Sequence, residues 1–230
     1  MVDNAYNVTV LTDAQTQEMR AGAPECASLA QTCEESGGTP CLDATTCWNQ
    51  VLFSPFTTTK LNLYDIRKLC AGDILCGDFS PTVDFLNLDS VYEYMGVRHE
   101  SVPKWPALNG TITQLFVDSG DWSMSFHPYV TELLDADLRV LIYAGDTDLM
   151  CNWQGNEAWT KALEWKGKQG FNAAEERPFY AAKMPATGGG TLRSFENFAF
   201  LRVFNAGHMA PMDQPQLTLD MISRFLKNEL

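Results

Sequence analysis

The two most informative stretches of the sequence are Tyr143-Ala-Gly-Asp-Thr-Asp-Leu-Met-Cys-Asn-Trp153 and Phe204-Asn-Ala-Gly-His-Met-Ala-Pro211. Each stretch begins at the end of an apolar run of strand length, the first run at residues 138–145 and the second at 198–204. Each then enters a short turn that contains glycine. Continuous apolar runs of this length are typical of central strands of a parallel sheet. Strands and helices alternate through this region, so the sequence predicts an α/β fold.

The turns after the two predicted strands carry side chains that can do chemistry. Asp146 and Asp148 follow the first strand, and His208 follows the second. Reacting groups in open parallel sheets lie at the carboxyl ends of strands. Aspartate before histidine is also the order of the last two members of a Ser-Asp-His triad in an α/β-hydrolase. The spacing alone leaves open that Asp146 caps a turn and that His208 is an ordinary loop histidine.

Composition and charge narrow the classes of function. The 230 residues are 45% hydrophobic and 20% charged, as expected for a globular protein that buries a core. A net charge of −13 repels phosphate backbones and anionic lipid, so we expect no nucleic-acid partner and no membrane partner. No apolar run approaches the roughly 18 residues of a membrane span, and residues 1–7 do not resemble a signal peptide.

The cysteines indicate an oxidising compartment. Six of the seven lie between Cys26 and Cys76 without interleaved histidines, which favours disulfides over zinc, with reduced thiols as the alternative. Glycosylation sequons begin at Asn7 and Asn109. We therefore expect the secretory pathway, with a lysosomal, vacuolar or secreted protein, and we expect no cofactor and no metal.

The remaining patterns predict a cap segment and a core. Residues 1–62 form the predicted cap segment, in which the capping box Thr12-Asp-Ala-Gln15 opens a short helix to Arg20 and disulfides stabilise a polar stretch at 26–47. Residues 63–230 form the predicted core, with too few strands for a complete sheet of this type. Helices are expected at 81–95, 127–135 and 156–165, a hairpin or loop at 167–190, and a last helix capped by Asp213 with Leu217, Met221, Ile222, Phe225 and Leu226 on its apolar face.

Several motifs together resemble the serine carboxypeptidase family, of the carboxypeptidase Y and lysosomal protective protein type. They are the two stretches quoted above, Asn62-Leu-Tyr-Asp-Ile-Arg67, Ser119-Gly-Asp-Trp122 and the cysteine spacings. The similarity covers nearly the whole chain and corresponds to the C-terminal half of that family. It implies the C-terminal part of an α/β-hydrolase fold with a disulfide-rich helical cap insertion.

The resemblance also implies roles for individual residues. Asp148 would be the triad aspartate, His208 the triad histidine, and Asp146 a structural turn residue. Trp122, Met150 and Cys151 would line the S1 pocket, with ordinary core as the alternative for Trp122 and Met150. The other implied features are Met209 on the leaving-group side and the disulfides Cys26–Cys47, Cys33–Cys41 and Cys70–Cys76.

Two family features are missing from these residues. The segment at residues 99–102 lacks the cysteine that yeast-type members carry there, and the chain has no Gly-x-Ser-x-Gly motif. The expected partner is therefore the N-terminal half of the same enzyme, which carries the serine and oxyanion hole, and the expected substrates are peptides with a free C-terminus. We expect the chain alone to be inactive. The alternative functions are a related acyltransferase or lyase, and a non-catalytic disulfide-stabilised binding module. The sequence does not fix the oligomeric state, and a homodimer is one expectation.

Overall fold

The structure is a computed structural model that describes residues 4–70, 76–181 and 189–230. It contains both helices and strands, as the sequence predicts for the α/β class. The helices are α1 (Asp13–Ser36), α2 (Thr39–Cys47), a π-helix (Trp48–Phe53), α3 (Ser54–Thr57), α4 (Ser80–Leu86), α5 (Asp89–Met95), α6 (Gly110–Asp118), α7 (His127–Asp135), α8 (Trp153–Ala162), α9 (Lys168–Ala173), α10 (Ala210–Asp213) and α11 (Pro215–Lys227). The strands are β1 (Leu61–Asn62), β2 (Asp65–Leu69), β3 (Val140–Gly145), β4 (Arg177–Phe179), β5 (Gly190–Phe195) and β6 (Phe198–Val203). None of the helices in the described ranges is both long enough and apolar enough to cross a bilayer.

Four strands form a mixed sheet in the order β3-β6-β5-β4. The two predicted strands, β3 and β6, are parallel neighbours whose registers end together at Gly145 and Val203. Strands β5 and β6 form an antiparallel hairpin, and β4 pairs antiparallel with β5. The parallel pair brings the carboxyl ends of β3 and β6 to one edge, where their following loops meet.

Helices pack on the apolar side chains of β6 to form the core. Leu201 and Val203 belong to one buried cluster that includes Leu217 and Met221 of α11. Phe198 and Phe200 belong to a second cluster with these further members: Leu134, Leu163, Trp165 and Phe171. The predicted apolar face of α11 is wrong in part, because Ile222 and Leu226 are exposed and the described residues do not cover them.

The first helix is much longer than predicted. The capping box forms as expected, because Gln15 N–H donates to Thr12 Oγ1 at 3.3 Å and Thr12 N–H donates to Gln15 Oε1 at 3.0 Å. The helix then continues past Arg20 and through Pro24 to Ser36. Most of the polar stretch at 26–47 is therefore helical, in the second half of α1 and in α2.

Disulfides join the first two helices. Cys26 bonds Cys47, and Cys33 bonds Cys41 inside it, which are the nested pairs that the resemblance implies. Cys33 and Cys41 are fully buried. Cys70 and Cys76 are also disulfide-bonded, as the third predicted pair requires.

Other helix boundaries also differ from the sequence expectations. The expected helix at 81–95 is two helices, α4 and α5, because Asn87 and Leu88 interrupt it. Helix α8 begins three residues early, since the Asn152 side chain caps it by accepting from Gly155 N–H at 2.8 Å. The expected loop at 167–190 contains α9 and β4, and its residues 182–188 lie outside the described ranges.

The contacts divide the chain into two compact units. The first contains Met1–Glu18, Ser54–Cys70 and Ser125–Leu230, and the second contains Met19–Phe53 and Ala71–Met124. The sheet and both loops that follow β3 and β6 belong to the first unit.

Candidate active site

The loops after β3 and β6 are hydrogen-bonded to each other at their start. Asp146 N–H donates to the carbonyl of Val203, and Thr147 N–H donates to that of Ala206, both at 2.9 Å. Gly145 ends β3 where a Cβ would lie 2.3 Å from two backbone oxygens of the second loop. Only glycine permits this approach. The close contact fixes the separation of the two loops.

The hairpin of β1 and β2 connects both loops from the other side. The Leu63 carbonyl accepts from the N–H groups of Leu149 and Met150 at 3.0 and 3.2 Å. The adjacent carbonyl, that of Tyr64, accepts from His208 N–H at 2.8 Å. The turn of one short hairpin therefore positions the backbone of both candidate catalytic loops.

Asp148 and His208 lie side by side at this edge of the sheet. Asp148 Oδ2 is 2.9 Å from His208 Nδ1, with the aspartate side chain 3% exposed and the histidine side chain 40% exposed. The other carboxylate oxygen accepts from Met150 N–H at 3.0 Å. An ionised carboxylate only accepts hydrogen bonds, so Nδ1 donates and Nε2 keeps its lone pair. A neutral imidazole held in this tautomer can take a proton at Nε2.

Burial changes the electrostatics of this pair. Desolvation raises the pKa of Asp148 above its ordinary value, although the hydrogen bond and charge of His208 oppose the shift. The ring of Tyr64 packs edge-on against the imidazole, with 5.2 Å between ring centroids. A partly desolvated carboxylate strengthens its interaction with an imidazolium, because the effective dielectric constant around it is low.

Asp146 has a different set of partners. Its carboxylate accepts from Tyr6 Oη at 2.7 Å and from Asn205 N–H at 2.9 Å, and lies 3.4 Å from the guanidinium of Arg202. None of these partners is His208. The geometry favours Asp148 as the histidine partner and Asp146 as a structural residue of the turn.

Cys151 is the third reactive side chain beside this pair. It is a free, exposed thiol among the described residues. Partial desolvation, and then the negative charge of Asp148, raise the pKa of this thiol. One ligand atom from each of Asp148, Cys151 and His208 lies within 4.8 Å of the others, a spacing that could hold a metal ion. Two of these atoms, His208 Nδ1 and Asp148 Oδ2, already share a hydrogen bond.

The other predicted pocket residues fall in two places. Met150, partly buried, follows Asp148 on the first loop, and Met209, exposed, follows His208 on the second. Trp122 lies in the second unit, half exposed, with its ring edge-on to Trp48 at 6.4 Å. The glycosylation candidates Asn7 and Asn109 are both exposed.

Sequence reasoning missed the charged residues that support the histidine loop. Asp213 does not cap α11 as predicted; its Oδ2 instead accepts from Gly207 N–H at 2.7 Å. Lys68 Nζ lies 3.7 Å from Asp213 and 2.9 Å from Asp65. Asp65 pairs with Arg67 through two hydrogen bonds of 2.8 Å. Burial would raise the pKa of Asp65, but Arg67 and Lys68 lower it well below its usual range. The motif at residues 62–67 was the available signal, although by itself it gave no role.

Comparison with known proteins gives the family. The serine carboxypeptidase family model matches residues 1–228. The chain is 39% identical to carboxypeptidase Y of Candida albicans over 223 residues, 96% of this chain and 40% of that protein. It is 40% identical to carboxypeptidase Y homolog A of Neurospora crassa, again over 96% of this chain and 39% of the relative. The chain therefore spans about two fifths of the length of these curated relatives.

A solved structure supports the fold assignment. The crystal structure of Kex1(delta)p, a prohormone-processing carboxypeptidase from Saccharomyces cerevisiae, superposes with a TM-score of 0.71 at 19% identity. The match covers 96% of this chain and 49% of that one. At this identity it shows the fold alone, and it confirms the predicted partial α/β-hydrolase architecture. Together with the family match, these findings place the chain in the serine carboxypeptidase family.

Proposed function

We propose that this chain supplies the aspartate and histidine of a Ser-Asp-His triad in a serine-type carboxypeptidase. The observation that carries the proposal is the hydrogen bond of 2.9 Å between Asp148 Oδ2 and His208 Nδ1 at the carboxyl ends of two parallel strands. The partner that completes the site is a serine-bearing region of the same enzyme outside these 230 residues. The substrates are peptides with a free C-terminus.

The proposed reaction assigns one task to each side chain. The serine oxygen attacks the carbonyl carbon of the last peptide bond while Nε2 of His208 accepts the serine proton. The Asp148 carboxylate stabilises the imidazolium. His208 then gives the proton to the leaving amine, the C–N bond breaks, and an acyl-enzyme remains. Water, deprotonated by His208, attacks the acyl carbon and releases the shortened peptide as the serine regains its proton.

The unpaired side of β3, at the end of the strand order among the described residues, is evidence for a companion region that pairs with it. Strand β3 pairs with β6 on one side and with no other strand of the described residues. The apolar side chains of Leu138 and Tyr143 beside this edge are exposed. Parallel strands are normally buried on both sides, and exposed strand edges invite pairing. A serine-bearing region that extends the sheet at β3 would cover both features.

We also propose a secretory location, on the evidence of the disulfides in the cap segment and the sequon at Asn109. Nested disulfides form and persist in oxidising compartments. The sequon at Asn109 lies at the start of α6, where Oδ1 of the asparagine accepts from Thr111 N–H at 3.0 Å and the exposed amide nitrogen stays available for a glycan. A loss of mass after glycosidase treatment of the secreted protein, abolished by Asn109→Gln, would test this.

The test of the triad compares two histidine–aspartate pairs in the enzyme assembled from this chain and its serine-bearing region. His208→Gln and Asp148→Asn should each reduce hydrolysis of a dipeptide blocked at its N-terminus by about 10⁴-fold. The matched control is His99→Gln, because His99 also lies 3.1 Å from an aspartate, but at the surface. Equal activity of His208→Gln and His99→Gln would contradict the proposal. Acyl transfer to an alcohol without peptide hydrolysis would instead identify an acyltransferase.

A further inference from the structure

Tyr6 joins the two candidate catalytic loops from the N-terminal segment. Its hydroxyl donates to Asp146 Oδ1 at 2.7 Å and accepts from Asn205 N–H at 3.0 Å. Asn205 N–H is also 2.9 Å from the same carboxylate oxygen. Hydroxyl, carboxylate and backbone amide therefore form a closed triangle of hydrogen bonds.

This triangle lies at the start of both loops. Asp146 precedes Asp148 by two residues, and Asn205 precedes His208 by three. Asn205 has a φ of 55°, in the left-handed region, so the second loop turns sharply at the residue that the hydroxyl contacts. A shift of Asp146 or Asn205 would change the spacing between the Asp148 carboxylate and the imidazole of His208.

The environment of Tyr6 keeps its hydroxyl a donor. Burial first, and the hydrogen bond to Asp146 second, raise its pKa to about 12. The guanidinium of Arg67 lies 5.8 Å from the centre of the Tyr6 ring. Arg67 in turn pairs with Asp65, which follows the carbonyl of Tyr64 that accepts from His208 N–H. The ring and the hydroxyl thus both contact the network that surrounds the two loops.

We propose that Tyr6 is a positioning residue for the Asp148–His208 pair, whose hydroxyl fixes the spacing of the two loops and with it the orientation of the imidazole. The inference rests on the proposed function for its catalytic consequence, although its structural part concerns this chain alone. Within the described residues Tyr6 has no hydrogen bond to His208, so its effect passes through Asp146 and Asn205.

The test separates the hydroxyl from the ring. Tyr6→Phe removes only the hydroxyl, Tyr6→Ala removes both, and Tyr94→Phe is the matched control, since Tyr94 is almost fully exposed. In the assembled enzyme, Tyr6→Phe should lower kcat about tenfold, with KM unchanged within twofold and the melting temperature within a few degrees of wild type. Tyr94→Phe should leave all three unchanged.

A second readout follows the histidine directly in the 230-residue chain. The chain has three histidines, so the downfield proton NMR signal of Nδ1–H in His208 can be assigned by its loss in His208→Gln. Tyr6→Phe should shift or broaden this signal, and Tyr94→Phe should not. If Tyr6→Phe matches wild type in kcat and in the NMR signal while Tyr6→Ala does not, the ring only packs and the proposal is wrong. If the signal responds but the assembled wild-type enzyme does not hydrolyse peptides, positioning stands and the proposed function fails.

Discussion

Gly207 offers a sharp test of how the hairpin positions His208. A Cβ at this position would lie 2.3 Å from the carbonyl oxygen of Tyr64 and 2.9 Å from Asp65 Cβ. Contacts between carbon and oxygen need about 3.5 Å, so Gly207→Ala forces the loop and the hairpin about 1 Å apart. The Tyr64 oxygen is the acceptor for His208 N–H at 2.8 Å, so this separation breaks the bond that orients the histidine loop.

The expected cost follows from two effects. Overpacking costs about 1–3 kcal/mol and the lost backbone hydrogen bond about 1 kcal/mol, so the free energy of unfolding should fall by about 2–4 kcal/mol. A misplacement of about 1 Å should reduce kcat in the assembled enzyme by roughly 100-fold.

Urea unfolding followed by tryptophan fluorescence measures the first effect, and hydrolysis of a blocked dipeptide measures the second. The matched control is Gly110→Ala, because a Cβ at Gly110 meets open space and the helix should gain a few tenths of a kcal/mol. Equal stability and activity of the two variants would refute the claim that the hairpin presses on the histidine loop.

Three further predictions concern the core, the cap segment and pH. Leu201 is fully buried on β6, so Leu201→Ala should lower the free energy of unfolding in urea by about 2–5 kcal/mol. Leu226 is exposed, so Leu226→Ala should lower it by less than about 0.5 kcal/mol. Equal losses would contradict the core assignment. Replacing Cys33 and Cys41 with Ser should cost about 2.5 kcal/mol, as expected for their sequence separation of 8, and an unchanged urea midpoint would contradict this. The folded-state pKa of Asp148 is raised above 3.8, so its stabilising contribution is complete below about pH 4 and is lost as pH rises through the folded-state value. Asp148→Asn should therefore become more stable relative to wild type from about pH 4 to pH 7, and a constant difference would contradict the shift.

The elements predicted well are those with strong local patterns. Strands β3 and β6 are continuous apolar runs, and His127–Asp135 forms the predicted helix with the expected bounds. Burial on both faces favours such runs, and every residue of β6 except Arg202 is buried, so the pattern is visible without tertiary information. The positions of Asp148 and His208 followed from the ends of those strands.

The elements missed depend on distant contacts. Strand β5, Gly-Thr-Leu-Arg-Ser-Phe, has no continuous apolar run because its Arg193 is buried against Glu176 and the carbonyl of Ala174. Helix α1 continues through Pro24, a residue that usually ends a helix, and disulfides from Cys26 and Cys33 tie this half of it to α2. Local propensity gives little warning when covalent cross-links stabilise a helix.

The support around the site was also outside the reach of sequence patterns. Tyr6 and Asp146 are separated by 140 residues, and no periodicity relates them. Asp213 fitted the pattern of a helix cap, but its carboxylate bonds Gly207 N–H, since the loop after β6 returns to α10. A polar side chain near a helix start can serve either purpose, and only the tertiary structure distinguishes them.

Activity of the isolated chain decides whether it is the aspartate and histidine half of a two-part site. Two samples are compared: the purified 230-residue chain, and the same chain assembled with its serine-bearing region. Each is assayed for release of the last residue from a dipeptide blocked at its N-terminus, and for labelling by a fluorophosphonate. We predict no turnover and no label for the chain alone. The assembly should show turnover, with the label on the companion region, and His208→Gln should abolish both. Turnover or labelling of the chain alone, or full activity of the assembled His208→Gln variant, would contradict the assignment of this chain as the aspartate and histidine half of the site.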